Sequence, residues 1–129
     1  MKSHYKGPGH IAIRTEDISE SLNFYKILGG EILKEDSLPG GKKLALVSFG
    51  GITLEFIEAP DQPPMSDGSI THFAIYVDDV DLVASTLRDA GINSFLTPEK
   101  VHMPTLFGGL ENWFFTGPSG EQIELLKML

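Results

Sequence analysis

Hydrophobic and polar positions alternate along residues 10–14, where Ile11 and Ile13 share one face and their neighbours share the other. This period of two predicts a half-buried strand. Apolar residues then recur every three or four positions between 18 and 28, which predicts a helix with an N-cap at Asp17 or Ser19. Three more strands are predicted at about 31–36, 42–49 and 52–59, between glycine-rich turns. The first half of the chain is therefore predicted to have the order βαβββ.

The same order returns at an offset of 62 residues, where THFAIYVDD at 71–79 matches GHIAIRTED at 9–17. The second copy is predicted to contain a strand at 71–77, a helix at about 79–90, and strands near 92–96, 111–117 and 121–128. Gly29 and Gly91 are predicted to end the two helices, because glycine suits the left-handed conformation of a C-terminal cap. The repeat predicts an α+β fold of two tandem βαβββ modules.

The modules are predicted at about 7–59 and 70–129, within one domain that covers residues 1–129. The linker at 60–69 follows from its prolines and lack of periodicity. The second module has a longer loop at 97–110 than its counterpart in the first. Long loops in compact domains are often functional.

Composition excludes several classes of protein. The chain has no cysteine, so disulfides, thiolate metal ligands and a cysteine nucleophile are excluded. A net charge of −8 disfavours binding to nucleic acid, whose phosphates an acidic surface repels. The sequence shows no signal peptide and no run of apolar residues long enough to span a membrane. We therefore expect a cytoplasmic protein that binds neither nucleic acid nor membrane.

Four potential metal ligands occur at equivalent positions of the two modules. The strand ITLEFIE aligns with EQIELLK at an offset of 69, so Glu55 matches Glu124 as His10 matches His72. Strand alternation places all four opposite the apolar faces that would pack under the helices. Alone, a strand histidine or glutamate is more often structural or solvated. As a set, two imidazoles and two carboxylates suit a divalent metal and leave coordination positions open.

The segments GHIAIRTEDISESLNFYKILGGEIL, ITLEFIE, THFAIYVDDVD and GPSGEQIELL resemble the vicinal oxygen chelate superfamily. This superfamily contains glyoxalase I, bleomycin resistance proteins and dioxygenases. The resemblance covers almost the whole chain and implies paired modules that form a cup-shaped mixed sheet with helices on the outer face, commonly in a homodimer. The ligand order His10, Glu55, His72, Glu124 is most similar to that of glyoxalase I.

What the resemblance implies is a divalent metal cofactor (Ni, Zn, Co, Mn or Fe) and proton transfer through a metal-bound enediolate. The substrate would be a 2-oxoaldehyde thiol adduct or a similar small molecule. Glu124 would be the first choice for the catalytic base, with Glu55 as ligand and second base. Arg14 matches an arginine that contacts the glutathione carboxylate in glyoxalase I. Ala59, however, stands where glutathione-using glyoxalases commonly have Asn, so the sequence does not identify the thiol part of the substrate.

Two aromatic residues are candidates for a substrate pocket. Trp113, together with Phe107 or Leu106, could wall an apolar pocket near the long loop, although Trp113 is also interpretable as a core residue. Two other functions remain open from the sequence. One is an epimerase of 2-substituted thioesters, similar to methylmalonyl-CoA epimerase. The other is a metal-free protein that binds or sequesters a small molecule such as a drug.

Overall fold

The computed structural model describes residues 9–61 and 71–129, together with His4 and Lys6. Most of the predicted linker and the start of the first module lie outside these residues. The chain divides into two compact units, Met1–Gln62 and Pro63–Leu129. The assignment of both modules to a single domain stays a prediction.

Unit one has the predicted order βαβββ. Its elements are β1 (Ile11–Thr15), α1 (Ile18–Ile27), β2 (Glu31–Ser37), β3 (Lys43–Phe49) and β4 (Ile52–Glu58). The strands form one mixed sheet in the order β1-β4-β3-β2, in which β1 and β4 are parallel and the other neighbours are antiparallel. Helix α1 packs on this sheet against β2, β3 and β4.

Unit two repeats this topology. Its elements are β5 (Phe73–Tyr76), α2 (Val80–Asp89), β6 (Val101–Met103), β7 (Leu110–Thr116) and β8 (Gln122–Met128). The strand order β5-β8-β7-β6 corresponds to that of unit one, again with one parallel pair. Helix α2 packs against β7 and β8. The prediction of an α+β fold with two tandem βαβββ modules is confirmed.

Equivalent contacts begin the two helices. The side chains of Asp17 and Asp79 cap α1 and α2, and each accepts a hydrogen bond from a backbone N–H three residues later, at 3.1 and 3.0 Å. Of the two N-cap candidates for α1, the structure therefore selects Asp17. The side chain carboxylate satisfies an amide that has no partner within the helix.

Equivalent backbone geometry ends the helices. Gly29 and Gly91 have φ angles of +94° and +93°, which side chains other than glycine rarely adopt. The next backbone N–H returns to the last helical turn in both units, from Gly30 to the carbonyl of Tyr25 at 2.8 Å and from Ile92 to that of Leu87 at 2.9 Å. The predicted glycine caps are confirmed.

Each unit has its own core between helix and sheet. The side chains buried there are Ile13, Ile18, Leu22, Tyr25, Ala45, Val47, Leu54 and Phe56 in unit one, and Phe73, Val80, Ala84, Leu87, Ile92, Trp113, Phe115, Ile123 and Leu125 in unit two. They come from alternate positions of the strands and from one stripe of each helix. The opposite face of each sheet is therefore left for polar side chains.

The strand predicted near 92–96 is wrong. Only Phe95 forms an isolated bridge there, opposite Phe115, and the edge strand of this sheet is β6, inside the predicted long loop. Ile92 is buried below α2, and the Phe95 ring packs on Trp113 at a centroid distance of 4.7 Å. Tertiary packing therefore explains the apolar residues that suggested a strand. The loop at 97–110 also contains a short 3-10 helix, Leu106–Gly108.

Candidate functional site

Unit one brings one histidine and one glutamate together. The parallel register between β1 and β4 pairs Ala12 with Glu55, and His10 lies two residues before Ala12 on the same face. The Nε2 atom of His10 is 3.4 Å from Oε1 of Glu55. Both side chains are partly exposed, on the face of the sheet away from α1.

Unit two contains the equivalent pair in the same register. Here Ala74 pairs with Glu124, and His72 lies two residues before Ala74. The Nε2 atom of His72 is 3.3 Å from Oε1 of Glu124. The distances between histidine and glutamate in the two units thus agree within 0.1 Å. Each distance joins two residues of the same unit.

These distances fit two ligands of one ion. Metal–nitrogen and metal–oxygen bonds of about 2.1 Å place adjacent donors about 3.0 Å apart at right angles and about 3.4 Å apart in a tetrahedron. Charge-assisted hydrogen bonds are shorter, at about 2.7–2.9 Å. Among the residues that the structure describes, no group of three or more His, Cys, Asp or Glu side chains is placed to hold a metal. The structure therefore contains two equivalent His/Glu pairs, one in each unit.

The pair in unit two has additional partners. Asn112 on β7 donates a hydrogen bond from Nδ2 to Oε2 of Glu124 at 2.7 Å, and both residues are buried. The hydroxyl of Thr71 lies 2.8 Å from Nδ1 of His72. In the tautomer with the proton on Nδ1, the lone pair of Nε2 is left for a metal. Such outer partners orient the ligands of metal sites.

The pair in unit one has different neighbours. The positions equivalent to Thr71 and Asn112 are Gly9 and Leu44, which offer no polar side chain. The Glu55 side chain is 24% exposed, compared with 11% for Glu124. The repeat therefore conserves the distance between histidine and glutamate while the support of the two glutamates differs.

Each unit has a concavity beside its His/Glu pair. The concavity of unit one is lined by Glu55, and that of unit two by His72. In unit one it measures about 310 Å³, and its lining includes Lys34, Asp36, Leu44, Leu46 and Glu55. In unit two it measures about 290 Å³, and its lining includes His72, Leu96, Val101, Asn112 and Phe114. The Phe114 ring stands edge-on to the His72 imidazole, with a centroid distance of 4.9 Å. The first concavity is thus lined by both charged and apolar residues, and the second mainly by apolar ones.

The other predicted site residues are Arg14, Trp113 and Phe107, of which Trp113 also lines the concavity beside His72. Arg14 lies on β1, four residues after His10 on the same face, and is partly buried. Trp113 is buried in the core, where its indole nitrogen donates to the carbonyl of Thr97 at 3.0 Å and Arg88 stacks on its ring. Phe107 is 82% exposed, with a φ of +49°. Substrate contacts by these three residues stay predictions.

Sequence analysis missed two residues that line these concavities, Asn112 and Lys34. Asn112 is a polar residue inside an apolar strand, and that exception to the pattern was a signal for a specific partner. Lys34 follows two successive apolar residues, Ile32 and Leu33, that break the alternation of β2. Such a break indicates a β-bulge.

Within the described ranges, neither helix has the length and apolar character needed to cross a bilayer.

Sequence comparisons find a probable lactoylglutathione lyase from Synechocystis sp., 30% identical over 92% of both chains. A 2-epi-5-epi-valiolone epimerase from Actinomyces sp. is 29% identical over 92% of this chain and 78% of its own. The crystal structure of trypanothione-dependent glyoxalase I from Leishmania major superposes with a TM-score of 0.73, with 25% identity over 92% of this chain and 84% of that one.

The family comparison agrees with the fold and with the repeated His/Glu pairs. A family model described as the glyoxalase/bleomycin resistance protein/dioxygenase superfamily matches residues 7–125, which include most of both units and all four candidate ligands. The protein therefore belongs to this superfamily, which is also called the vicinal oxygen chelate superfamily.

Proposed function

We propose that this protein is a divalent-metal-dependent lyase or isomerase of the glyoxalase I type. Its substrate would be a 2-oxoaldehyde thiol adduct or a similar small molecule. The observation that carries this proposal is the pair of equivalent His/Glu contacts, at 3.4 Å in unit one and 3.3 Å in unit two. The relative named a probable lactoylglutathione lyase supports the same class of reaction.

His10, Glu55, His72 and Glu124 would be the metal ligands. Two neutral imidazoles and two carboxylates balance the charge of a divalent ion and suit Ni, Zn, Co, Mn or Fe. When bound, such an ion supplies Lewis-acid stabilisation of negative charge that develops on substrate oxygens. Glu124 and His72 have hydrogen-bonding neighbours in Asn112 and Thr71, whereas the equivalent positions beside Glu55 and His10 are leucine and glycine.

Glu124 would be the general base that moves a proton between neighbouring carbons, and Glu55 the second carboxylate. A general base must be held within hydrogen-bonding reach of the carbon-bound proton. Asn112 holds one oxygen of Glu124 and leaves the other on the side of His72. Arg14, on the face of His10, would bind one carboxylate of a substrate that carries two, such as a glutathione adduct.

Metal content is the first test. The protein would be purified without chelator, reconstituted separately with nickel, zinc and manganese, and compared with the His10→Ala and Glu124→Ala variants. We expect one ion per chain in the wild type and loss of that ion in both variants. His102→Ala is the matched control, because His102 is exposed and belongs to neither pair. Two ions per chain would contradict a shared site, and no tightly bound ion would overturn the metal-dependent mechanism.

Turnover is the second test. The Glu124→Gln variant should lose about 100-fold or more in kcat on hemithioacetals of methylglyoxal, which is the usual contribution of a general base. Its circular dichroism should remain that of the wild type. Full activity of this variant would refute the role of Glu124.

We expect the active species to be a homodimer, which light scattering would check.

Epimerisation is the second candidate function, favoured by the relative named 2-epi-5-epi-valiolone epimerase. In the same ligand set, Glu124 would remove a proton next to a carbonyl and Glu55 would return a proton on the other face of that carbon. Turnover of a cyclic ketone or of a 2-substituted CoA thioester, without turnover of any hemithioacetal, would select it. Binding of a small molecule by a chain that holds no metal would instead favour a sequestration protein.

A further inference from the structure

A β-bulge in β2 determines which way Lys34 points. Ile32 pairs with Val47 on β3 and Lys34 pairs with Leu46, so two steps on β2 match one step on β3 and Leu33 is the extra residue. Without the bulge, Leu33 would lie opposite Leu46 and Lys34 opposite Ala45, on the core face. The bulge therefore turns Lys34 to the face that carries the candidate ligands.

Lys34 is aligned with Glu55 across the sheet. Leu46 pairs with Lys34 on one side and with Glu55 on the other, and directly paired residues share a face. Two strand spacings separate the Cα atoms of Lys34 and Glu55 by about 10 Å. The lysine side chain and the glutamate line the same concavity of about 310 Å³. An anionic group that enters this concavity can thus lie beside Glu55 and within reach of the ammonium group.

The carboxylates around Lys34 limit the charge of the ligand that this lysine would bind. Lys34 forms no ion pair with the residues that the structure describes, whereas Lys100 contacts two carboxylates at 2.6 and 3.0 Å. Glu35 and Asp36 line the same concavity, and the register puts Asp36 on the face of Lys34. One cation among these carboxylates can bind a single carboxylate, while it cannot offset the charge of a group with several phosphates.

We propose that Lys34 is a specificity-determining residue that binds a single carboxylate on the thiol part of the substrate. This inference rests on the proposed function and narrows it, because it favours thiols of the amino-acid or peptide type over coenzyme A. The bond would be a charge-assisted hydrogen bond from Nζ to the carboxylate. Lys34 would take no part in proton transfer.

The kinetic test uses methylglyoxal hemithioacetals of three thiols: N-acetylcysteine, its uncharged methyl ester, and coenzyme A. In the Lys34→Met variant we expect KM for the N-acetylcysteine adduct to rise about tenfold, equal to about 1.4 kcal/mol. The value of kcat, and both constants for the methyl ester adduct, should stay unchanged. Lys34→Arg should restore most of the binding. For the wild type, the coenzyme A adduct should be the poorest of the three.

Lys43→Met is the matched control. Lys43 is also exposed and lies in the same sheet, but its side chain points to the opposite face because it precedes Leu44. Lysine on the edge strand β2 could also discourage aggregation. That structural role would change the solubility of the Lys34→Met variant and leave its KM values unaltered. Equal KM values in wild type and Lys34→Met would overturn the inference.

A binding measurement separates this inference from the proposed function. The probes are S-hexyl-N-acetylcysteine and its methyl ester, which cannot react, titrated by calorimetry into wild type and variants. We expect about tenfold weaker binding of the acid to Lys34→Met and no change for the ester. This result without turnover of any hemithioacetal would retain the role of Lys34 and reject the lyase. Equal affinity of the wild type for acid and ester, or no binding of either, would overturn the role of Lys34.

Discussion

The hydrogen bond between Asn112 and Glu124 should contribute measurably to the stability of the metal-free protein. Nδ2 of Asn112 lies 2.7 Å from Oε2 of Glu124, and the two residues are only 7% and 8% exposed. Removing the donor leaves a buried carboxylate oxygen without its partner, which costs about 1–3 kcal/mol. Asn112→Leu should therefore lower the free energy of unfolding by this amount. Leucine should fit, because Leu44 occupies the equivalent position in unit one.

A double-mutant cycle isolates this contribution. Glu124→Met removes the acceptor with a side chain of similar shape, and the double variant removes both partners. Replacing both partners by apolar groups is nearly neutral, so the double variant should be more stable than Asn112→Leu alone. Urea unfolding in the presence of chelator measures all four proteins. Additivity within about 0.5 kcal/mol would show that the two side chains are not coupled and would refute the argument.

The same substitution should affect metal binding, if Glu124 is a ligand. Loss of an outer hydrogen-bonding partner typically lowers metal affinity about 10- to 100-fold. Competition with a chromophoric chelator would measure this loss in Asn112→Leu. The Leu44→Asn variant is the reciprocal experiment, because it offers Glu55 the amide that Glu124 already has. Unchanged affinity in Asn112→Leu would separate the stability of Glu124 from any role as a ligand.

Two further predictions concern stability. Asp17→Ala and Asp79→Ala should each lower the free energy of unfolding by about 1 kcal/mol, because each removes an N-cap, and Asn at either position should retain most of it in chemical denaturation. The pKa of Lys100 is raised above 10.5 by hydrogen bonds to Asp81 and then Glu111. Its contribution to stability is present below pH 10.5 and is lost as the pH rises through the raised pKa, so wild type should lose stability there. Lys100→Met should lack this component while Asp17→Ala keeps it, and identical alkaline profiles would contradict the assignment.

Local patterns were sufficient for the order of elements in each module and for the face on which the candidate ligands lie. Alternation along a strand follows from backbone geometry alone, so His10 and Glu55 could be assigned to one face before any contact was known. The cap at Gly29 is equally local, since a few neighbouring backbone groups determine it, whereas the sequence left Asp17 and Ser19 both open as the N-cap of α1. The 62-residue offset extended these predictions to the second module, where Gly91 ends α2 with the same backbone geometry.

Tertiary structure decided what local patterns leave open. The bulge at Leu33 depends on the pairing of β2 with β3, because an extra residue exists only relative to a partner strand. The partner of Asn112 depends on the register of β7 and β8, which brings it beside Glu124. The edge strand β6 likewise follows from pairing with β7, while the ring of Phe95 packs on Trp113 and Phe115. Strand register, which joins residues distant in the sequence, therefore determines the surroundings of the candidate ligands.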